Sequence, residues 1–384
     1  MSKPAARRRY LTACLLATGG VMSCTEPAPE VASSAPSGIR LLIDDGASDF
    51  ARAVGAHDFT FPRDHGSHES YRTEWWYFTG NLRAQEERHF GFELTFFRYA
   101  LGSRSAEQRS AWATNQIWMA HLALTDTARG RFDTAERLSR GALELAGARH
   151  DRFEVWVENW SARQDDERGP IRLDALTDTI AIELTLEPTK AIVLHGDHGL
   201  DQKGPEAGNA SYYYSWPRLA ARGRVTPSGA APMTVEGLVW LDREWGTSTL
   251  SAGAVGWDWF ALQLDDGRDL MFYRLRDANG QATRWSGGTM VGADGSSERL
   301  GAQDATLEIL EDWRSPTTGI RYPIRWRLQV ESQGLDLIVR PVIANQEVDL
   351  SVRYWEGAVI VESADAPRRQ LGEGYLELAG YARE

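Results

Sequence analysis

Glu74-Trp75-Trp76-Tyr77-Phe78-Thr79-Gly80, entered through Tyr71-Arg72-Thr73, is the stretch on which the fold turns. Four consecutive aromatics behind a carboxylate are costly to order unless both faces of the segment are covered. On a strand, neighbours point to opposite faces, so Trp75 and Tyr77 share one face while Glu74, Trp76 and Phe78 share the other. Two aromatic faces suit a barrel wall that is packed outside and lines an apolar cavity inside. Glu74 then looks inward beside Trp76 and Phe78, where a carboxylate is either paired or protonated at neutral pH.

Alternation of this kind recurs along the chain, in Phe153–Trp160, Ile180–Leu186, Trp259–Leu264 and Leu335–Val339. Turn signals separate these runs, among them Asp265-Asp266-Gly267, Ala278-Asn279-Gly280 and Thr226-Pro227-Ser228-Gly229. Helix signals are confined to one or two turns at Ser105–Gln108, Ala135–Leu138 and Glu144–Ala148. The reading is therefore all-β, built from antiparallel barrels with few short helices. An internal echo relates Glu74–Arg83 to Gly256–Leu264, each an aromatic strand leading through a charged turn to another aromatic strand. Two related barrels in tandem produce that pattern, and small residues in Thr247–Ala254 mark the join. The predicted organisation is residues 1–24 as a leader, 25–56 as a flexible tether, 57–248 as the first barrel and 249–384 as the second.

The leader has a basic start, Arg7-Arg8-Arg9, a short apolar run from Tyr10 to Val21, and then Val21-Met22-Ser23-Cys24. That sequence resembles a bacterial lipobox, which predicts lipidation of Cys24 and anchoring on the periplasmic side of a membrane, with plain secretion as the alternative. Membrane contact is expected only through the anchor, since no later apolar run approaches the roughly 20 residues of a spanning helix. Cys14 and Cys24 are the chain's two Cys, so the mature domains hold no disulfide or Cys-based metal site. A net charge of −12 excludes the basic surface a nucleic acid would need.

Seven motifs in order carry a family resemblance. After Glu74–Gly80 come Met119-Ala-His-Leu-Ala-Leu-Thr-Asp126, Tyr212-Tyr-Tyr-Ser215 and Gly237-Leu-Val-Trp-Leu-Asp-Arg-Glu-Trp-Gly246. Gly256-Trp-Asp-Trp-Phe260, Tyr354-Trp-Glu-Gly-Ala-Val359 and Gly374-Tyr-Leu-Glu-Leu378 follow. Together they resemble the carotenoid 1,2-hydratase-like family, also called hydroxyneurosporene synthase-like, from about His57 to the end. The resemblance implies two lipocalin-like domains and acid-catalysed addition of water to an isoprenoid alkene, or its cyclisation, without a cofactor. It also has a departure. The hydratases rely on a His and an Asp near the domain junction, and this chain presents Arg243 and Leu275 in those neighbourhoods. The name secreted hydrolase also attaches to such proteins, but no Gly-x-Ser-x-Gly elbow or mature Cys stands behind it here.

The candidate chemistry centres on Asp242-Arg243-Glu244-Trp245. On a continuing strand Asp242 and Glu244 share a face about 7 Å apart, while Arg243 and Trp245 share the other. One carboxylate then raises the pKa of its neighbour and leaves a proton available; the competing reading is a structural ion pair. His121 lies in an otherwise apolar strand and serves as proton relay or as a hydrogen-bonded core residue. The predicted catalytic set is Asp242, Glu244, His121 and Glu74. The predicted ligand-binding set is Trp75, Trp76, Tyr213, Tyr214, Arg243, Trp245, Trp257, Asp258, Trp259 and Tyr273, whose aromatic faces can stabilise a cation. Glu74, Trp76, His121, Asp242, Glu244 and Trp245 are expected to converge on one interior or interdomain site. The His195-Gly-Asp-His198 loop, and His65 with His68, are weak chelating patterns, and no metal is expected. The expected partner is a hydrophobic small molecule, isoprenoid or lipid. The rival reading is a non-enzymatic carrier of such a ligand, tied to a lipoprotein or ABC-type export system. A closed pocket at the junction, with a carboxylate free of ion pairing against apolar walls, favours the enzyme.

Overall fold

A computed structural model describes residues 49–102, 110–166, 169–248, 250 and 253–382. Cys24, the leader, most of the tether and the turn expected at Ser105–Gln108 lie outside the described residues. The protein forms two lipocalin-like antiparallel β-barrels within one compact unit. The first sheet runs from Thr73 to Gly246 and the second from Ala254 to Ala379.

The decisive stretch becomes the strand Thr73–Arg83 at the middle of the first sheet. It pairs antiparallel with His89–Ala100 on one side and with Met233–Gly246 on the other. The second barrel repeats this plan: Ala254–Leu264 pairs with Asp269–Asp277 and with the last strand, Gln370–Ala379. The internal echo in the sequence is thus the same strand in each barrel. Ala135–Leu138, expected as helical turns, lies within the strand Arg131–Arg140, and Ala146–Ala148 is a short strand. Cross-strand pairing supplies those residues with the backbone partners that a single helical turn would leave unmet.

Alternation sorts the side chains as expected, but the faces meet different surroundings. Trp76 and Phe78 enter a core with Phe92, Phe96, Trp118 and Trp160, which fills the first barrel. The lumen expected to be an apolar cavity is a packed core. Phe260, Phe272, Trp326, Trp355 and Leu376 fill the second barrel in the same way. A third cluster joins the barrels: Tyr77, Tyr213 and Trp240 from the first pack on Trp259, Tyr273, Tyr354 and Tyr375 from the second. Close approach shows at Gly91, where an added Cβ would lie 2.5 Å from the Cβ of Ala358 across the junction. Polar bonds cross as well, from Asn81 Nδ2 to the Gly374 carbonyl at 3.0 Å and from Gln263 Nε2 to the Pro217 carbonyl at 2.6 Å.

The described end of the tether is packed. Phe50 and Ala53 are buried, and the Ala51 amide donates to the Ser70 carbonyl at 2.9 Å. Apolar Ala53 joins Tyr212, Tyr214 and Trp245, so the ordered body begins some residues before His57.

Candidate functional site

A cavity of about 420 Å³ opens between the barrels. Its walls come from the outer face of the first sheet and the facing surface of the second. Trp75, Tyr77, Phe97, Tyr213, Leu250, Trp257, Trp259, Tyr273, Leu275 and Tyr354 make it predominantly aromatic. Four carboxylates also line it: Asp242, Glu244, Glu356 and Glu377. Strand register sets this arrangement. Tyr77 lies opposite Asp242, Trp75 opposite Glu244, and Tyr213 opposite Glu244 on the other side, so all point to the same face. In the second barrel Glu356 lies opposite Glu377, which in turn lies opposite Trp259.

Asp242 is buried and has no ion-pair partner among the described residues. Tyr213 Oη donates to its Oδ2 at 2.6 Å, while the Trp240 indole N–H, at 2.6 Å, and the Ser215 hydroxyl donate to Oδ1. Burial pushes its carboxyl up to about 7; the three donors oppose the rise and the nearby Glu244 adds to it. Ser215 continues to His195, whose Nε2 lies 2.6 Å from Ser215 Oγ and whose Nδ1 lies 2.9 Å from Thr289 Oγ1. His195 borders a smaller cavity of about 150 Å³, so hydrogen bonds run from that second space to the acid on the main wall. Burial also lowers His195 to about 3, so it carries no charge at neutral pH.

The other acids divide by partner. Glu244 is ion-paired with Lys203, whose ammonium also lies 3.7 Å from Asp201. Asp201 accepts from Tyr273 Oη at 2.8 Å. Glu356 accepts from Tyr77 Oη, and burial beside Glu93 and Glu377 holds it well above the usual carboxylate range. Burial raises Glu377 to about 7, with Asp242 and Glu244 contributing. The cavity therefore combines aromatic walls with three carboxyl groups, Asp242, Glu356 and Glu377, whose burial raises them toward or above the neutral range.

The structure divides the predicted site in two. Asp242, Glu244, Trp75, Tyr213, Trp257, Trp259 and Tyr273 line the cavity. His121 stands one step behind it: Nδ1 lies 2.6 Å from the hydroxyl of Tyr354, a wall residue, and Nε2 lies 3.0 Å from Glu136. Glu74, Trp76, Tyr214, Arg243 and Trp245 point to the opposite face of the sheet, because each neighbours a cavity-facing residue on its own strand or lies opposite one that does. There Arg243 Nη2 reaches Glu74 Oε1 at 2.7 Å, Arg98 Nε reaches Oε2 at 3.1 Å, and the Arg243 guanidinium lies 3.9 Å from the Trp76 ring centre. Burial alone would raise Glu74, but Arg243, His68 and Arg98 hold it well below the usual carboxylate range, so it is no proton donor. Asp258 is also removed from the site. It faces the second barrel's interior, bonded to Arg274 at 2.6 Å, Arg276 at 3.3 Å and the Tyr381 hydroxyl at 2.7 Å. His195 and His198 do not converge as ligands, since His195 is buried and His198 is largely exposed.

Sequence reasoning missed Glu356, Glu377, Lys203, Asp201, Ser215 and His195 as parts of one site. Glu356 and Glu377 each interrupt an apolar strand, which is the signal that drew attention to Glu74.

Comparison with known proteins bears on these features. The AttH-like family model matches residues 52–381. A Nitrosomonas europaea protein described as AttH (NE1406) is 31% identical, with 87% of this chain and 100% of that chain covered and a TM-score of 0.77. Kievitone hydratase from Nectria haematococca is 14% identical over 87% of this chain and 98% of its own, with a TM-score of 0.65, and shares the fold. Comparison with curated proteins gives no match.

Proposed function

The chain belongs to the AttH-like family, and from that footing and the cavity's chemistry we propose that it binds an unsaturated, isoprenoid-like molecule between its barrels and hydrates or cyclises it by acid catalysis. One observation carries the proposal: Asp242 is buried on the wall of an aromatic cavity among the neutral donors Tyr213, Ser215 and Trp240, with no ion-pair partner among the described residues, an environment that raises its carboxyl to about 7. A carboxylic acid kept neutral in an apolar site is the group that alkene protonation requires.

In the proposed reaction the alkene π pair takes the Asp242 proton, forming a C–H bond and leaving a cation on the more substituted carbon. The faces of Trp75, Trp257 and Trp259 stabilise that cation, each desolvated contact worth up to about 2 kcal/mol. Water then adds its oxygen, and its surplus proton returns to the Asp242 carboxylate. Where a second double bond lies within reach, its π pair closes a ring in place of water, and the cation left on its other carbon takes up water or loses a proton, which returns to the Asp242 carboxylate. The hydrogen bonds through Ser215 offer Asp242 a route for proton exchange away from the ligand. The relative on this fold that is named a hydratase supports the reading at the level of fold.

The carrier reading draws on the same apolar walls, which hold a ligand without chemistry. Export as a lipoprotein acylated at Cys24 belongs to the proposal too, resting on Arg7–Arg9 and Val21–Cys24; metabolic labelling with a radioactive fatty acid, lost on Cys24→Ser, tests it. The functional test is conversion of C10–C20 isoprenoid alkenes to tertiary alcohols or rings by the wild type and Asp242→Asn. Turnover lost by roughly 10²–10⁴-fold with ligand binding retained supports acid catalysis. Tight binding with no turnover of any of them by the wild type supports the carrier instead.

A further inference from the structure

On the opposite face of the first sheet from the cavity, His57, Asp64 and His68 bring three ligating atoms within 4.8 Å of one another. His57 Nε2 lies 3.4 Å from Asp64 Oδ2, and His68 Nε2 lies 3.2 Å from Asp64 Oδ1. We propose that these three side chains form a divalent transition-metal site, fitted to Zn²⁺ or Co²⁺, that fastens the N-terminal segment to the first barrel.

Two independent features of the geometry carry this. The first is His68, whose two ring nitrogens both face carboxylates: Nδ1 lies 2.8 Å from Glu74 Oε1, and Nε2 faces Asp64. Glu74 is held in place by Arg98 and Arg243, and with Nδ1 against it the ring presents Nε2 toward Asp64. A carboxylate–His–metal arrangement has this form, the outer carboxylate setting the ring's tautomer and orientation. The second is His57 Nε2, which is buried and has no hydrogen-bond partner, yet points at the same Asp64 group. Two imidazole nitrogens and a carboxylate oxygen are the donors that zinc and cobalt accept, with the remaining position left to water.

The surroundings keep the ligands in place. The His68 ring stacks on Trp245 with centres 3.8 Å apart and planes 3° from parallel. His57 packs on Phe59, at 4.7 Å, and on Tyr212, at 4.8 Å. Asp64 is fixed by the Thr60 amide, which donates to Oδ2 at 2.5 Å, while Arg63 approaches only at 3.4 Å from an exposed position. The sequence concealed this site because His57 and His68 lie eleven positions apart, in no recurrent ligand spacing; the turn at Arg63–His65 closes the gap.

The test uses the full-length protein and His57→Ala, titrated with Co²⁺ and with Zn²⁺. His57 is the most exposed of the three, and His68 is the member bonded to Glu74, so loss of His57 spares the buried Glu74 network, and the metal-free variant's thermal melt checks that it folds. Expected results are one Co²⁺ per chain in the wild type with visible absorption of a nitrogen-ligated, low-coordinate ion, displacement by Zn²⁺, a rise in melting temperature with metal, and loss of all three in the variant. Cys14 and Cys24 are present in both proteins, so the difference between them excludes thiol binding. Equal metal binding by the two, or none by the wild type, would overturn the proposal and leave His68 as a ring clamped between two carboxylates.

Discussion

Replacing Asp242 by Asn tests the central feature of the cavity without needing a substrate. The amide reproduces the protonated acid: its carbonyl oxygen accepts from Ser215 and Trp240, and its NH₂ donates to Tyr213, whose oxygen already receives the Trp259 indole N–H at 3.1 Å. The variant therefore keeps the folded contacts of the acid form and removes the option of ionising. In the wild type the carboxyl moves from 3.8 to about 7 on folding. The folded state holds this proton more tightly than the unfolded chain, so the acid's contribution is complete below about pH 4 and is lost as pH rises to about 7. At about 1.4 kcal/mol per pKa unit, the difference amounts to up to about 4 kcal/mol. Urea unfolding at intervals from pH 4 to pH 8.5 should show Asp242→Asn gaining on the wild type by a few kcal/mol, with the gain complete near pH 7.5. A gap between the two proteins that stays constant over that range would mean that Asp242 ionises normally in the fold, and the proton donor would have to be sought in Glu356 or Glu377. Turnover, if present, should follow the opposite limb, falling in the wild type as pH rises through 7.

Three further outcomes follow from the geometry. Glu74→Gln leaves Arg98 and Arg243 without their buried counter-charge and should cost roughly 3–5 kcal/mol at pH 7. Because Glu74 is held below its usual value, the loss should shrink as pH falls below about 4.5; urea midpoints that differ equally at pH 7 and pH 3 would contradict the ionised assignment. Asp258→Asn should lower the melting temperature while leaving turnover and ligand affinity intact, since its partners Arg274 and Arg276 lie on the second barrel's inner side; a turnover defect matching that of Asp242→Asn would return it to the site. Trp257→Ala removes part of the cavity wall and should weaken an apolar fluorescent probe such as N-phenylnaphthylamine by about 10–100-fold, from roughly 1.5–3 kcal/mol of lost apolar contact. An unchanged dissociation constant would place the ligand elsewhere.

The two-residue period of the strands was legible from the start, and it divides the site correctly: Glu74 with Trp76 on one face, and Asp242 with Glu244 on the other face of a neighbouring strand. What alternation cannot state is what covers each face. Both faces of Thr73–Arg83 are aromatic, so the pattern alone is equally consistent with a hollow lumen and with a hollow junction. The side chains of the first barrel fill the lumen, and the cavity falls where the outer aromatic faces of the two sheets meet. The same silence explains the partners. Glu74 and Asp242 are both acids embedded among tryptophans, yet one is drawn to arginines and the other to neutral hydroxyl and indole donors. Arg98 and Arg243 reach Glu74 from the two strands flanking it, a pairing fixed by register. Lys203, the cation nearest the cavity acids, is committed to Glu244 and leaves Asp242 with hydrogen bonds alone. A sequence reveals that a buried carboxylate needs a solution; the register of distant strands decides whether that solution is a counter-ion or a proton, and only the second makes a catalyst.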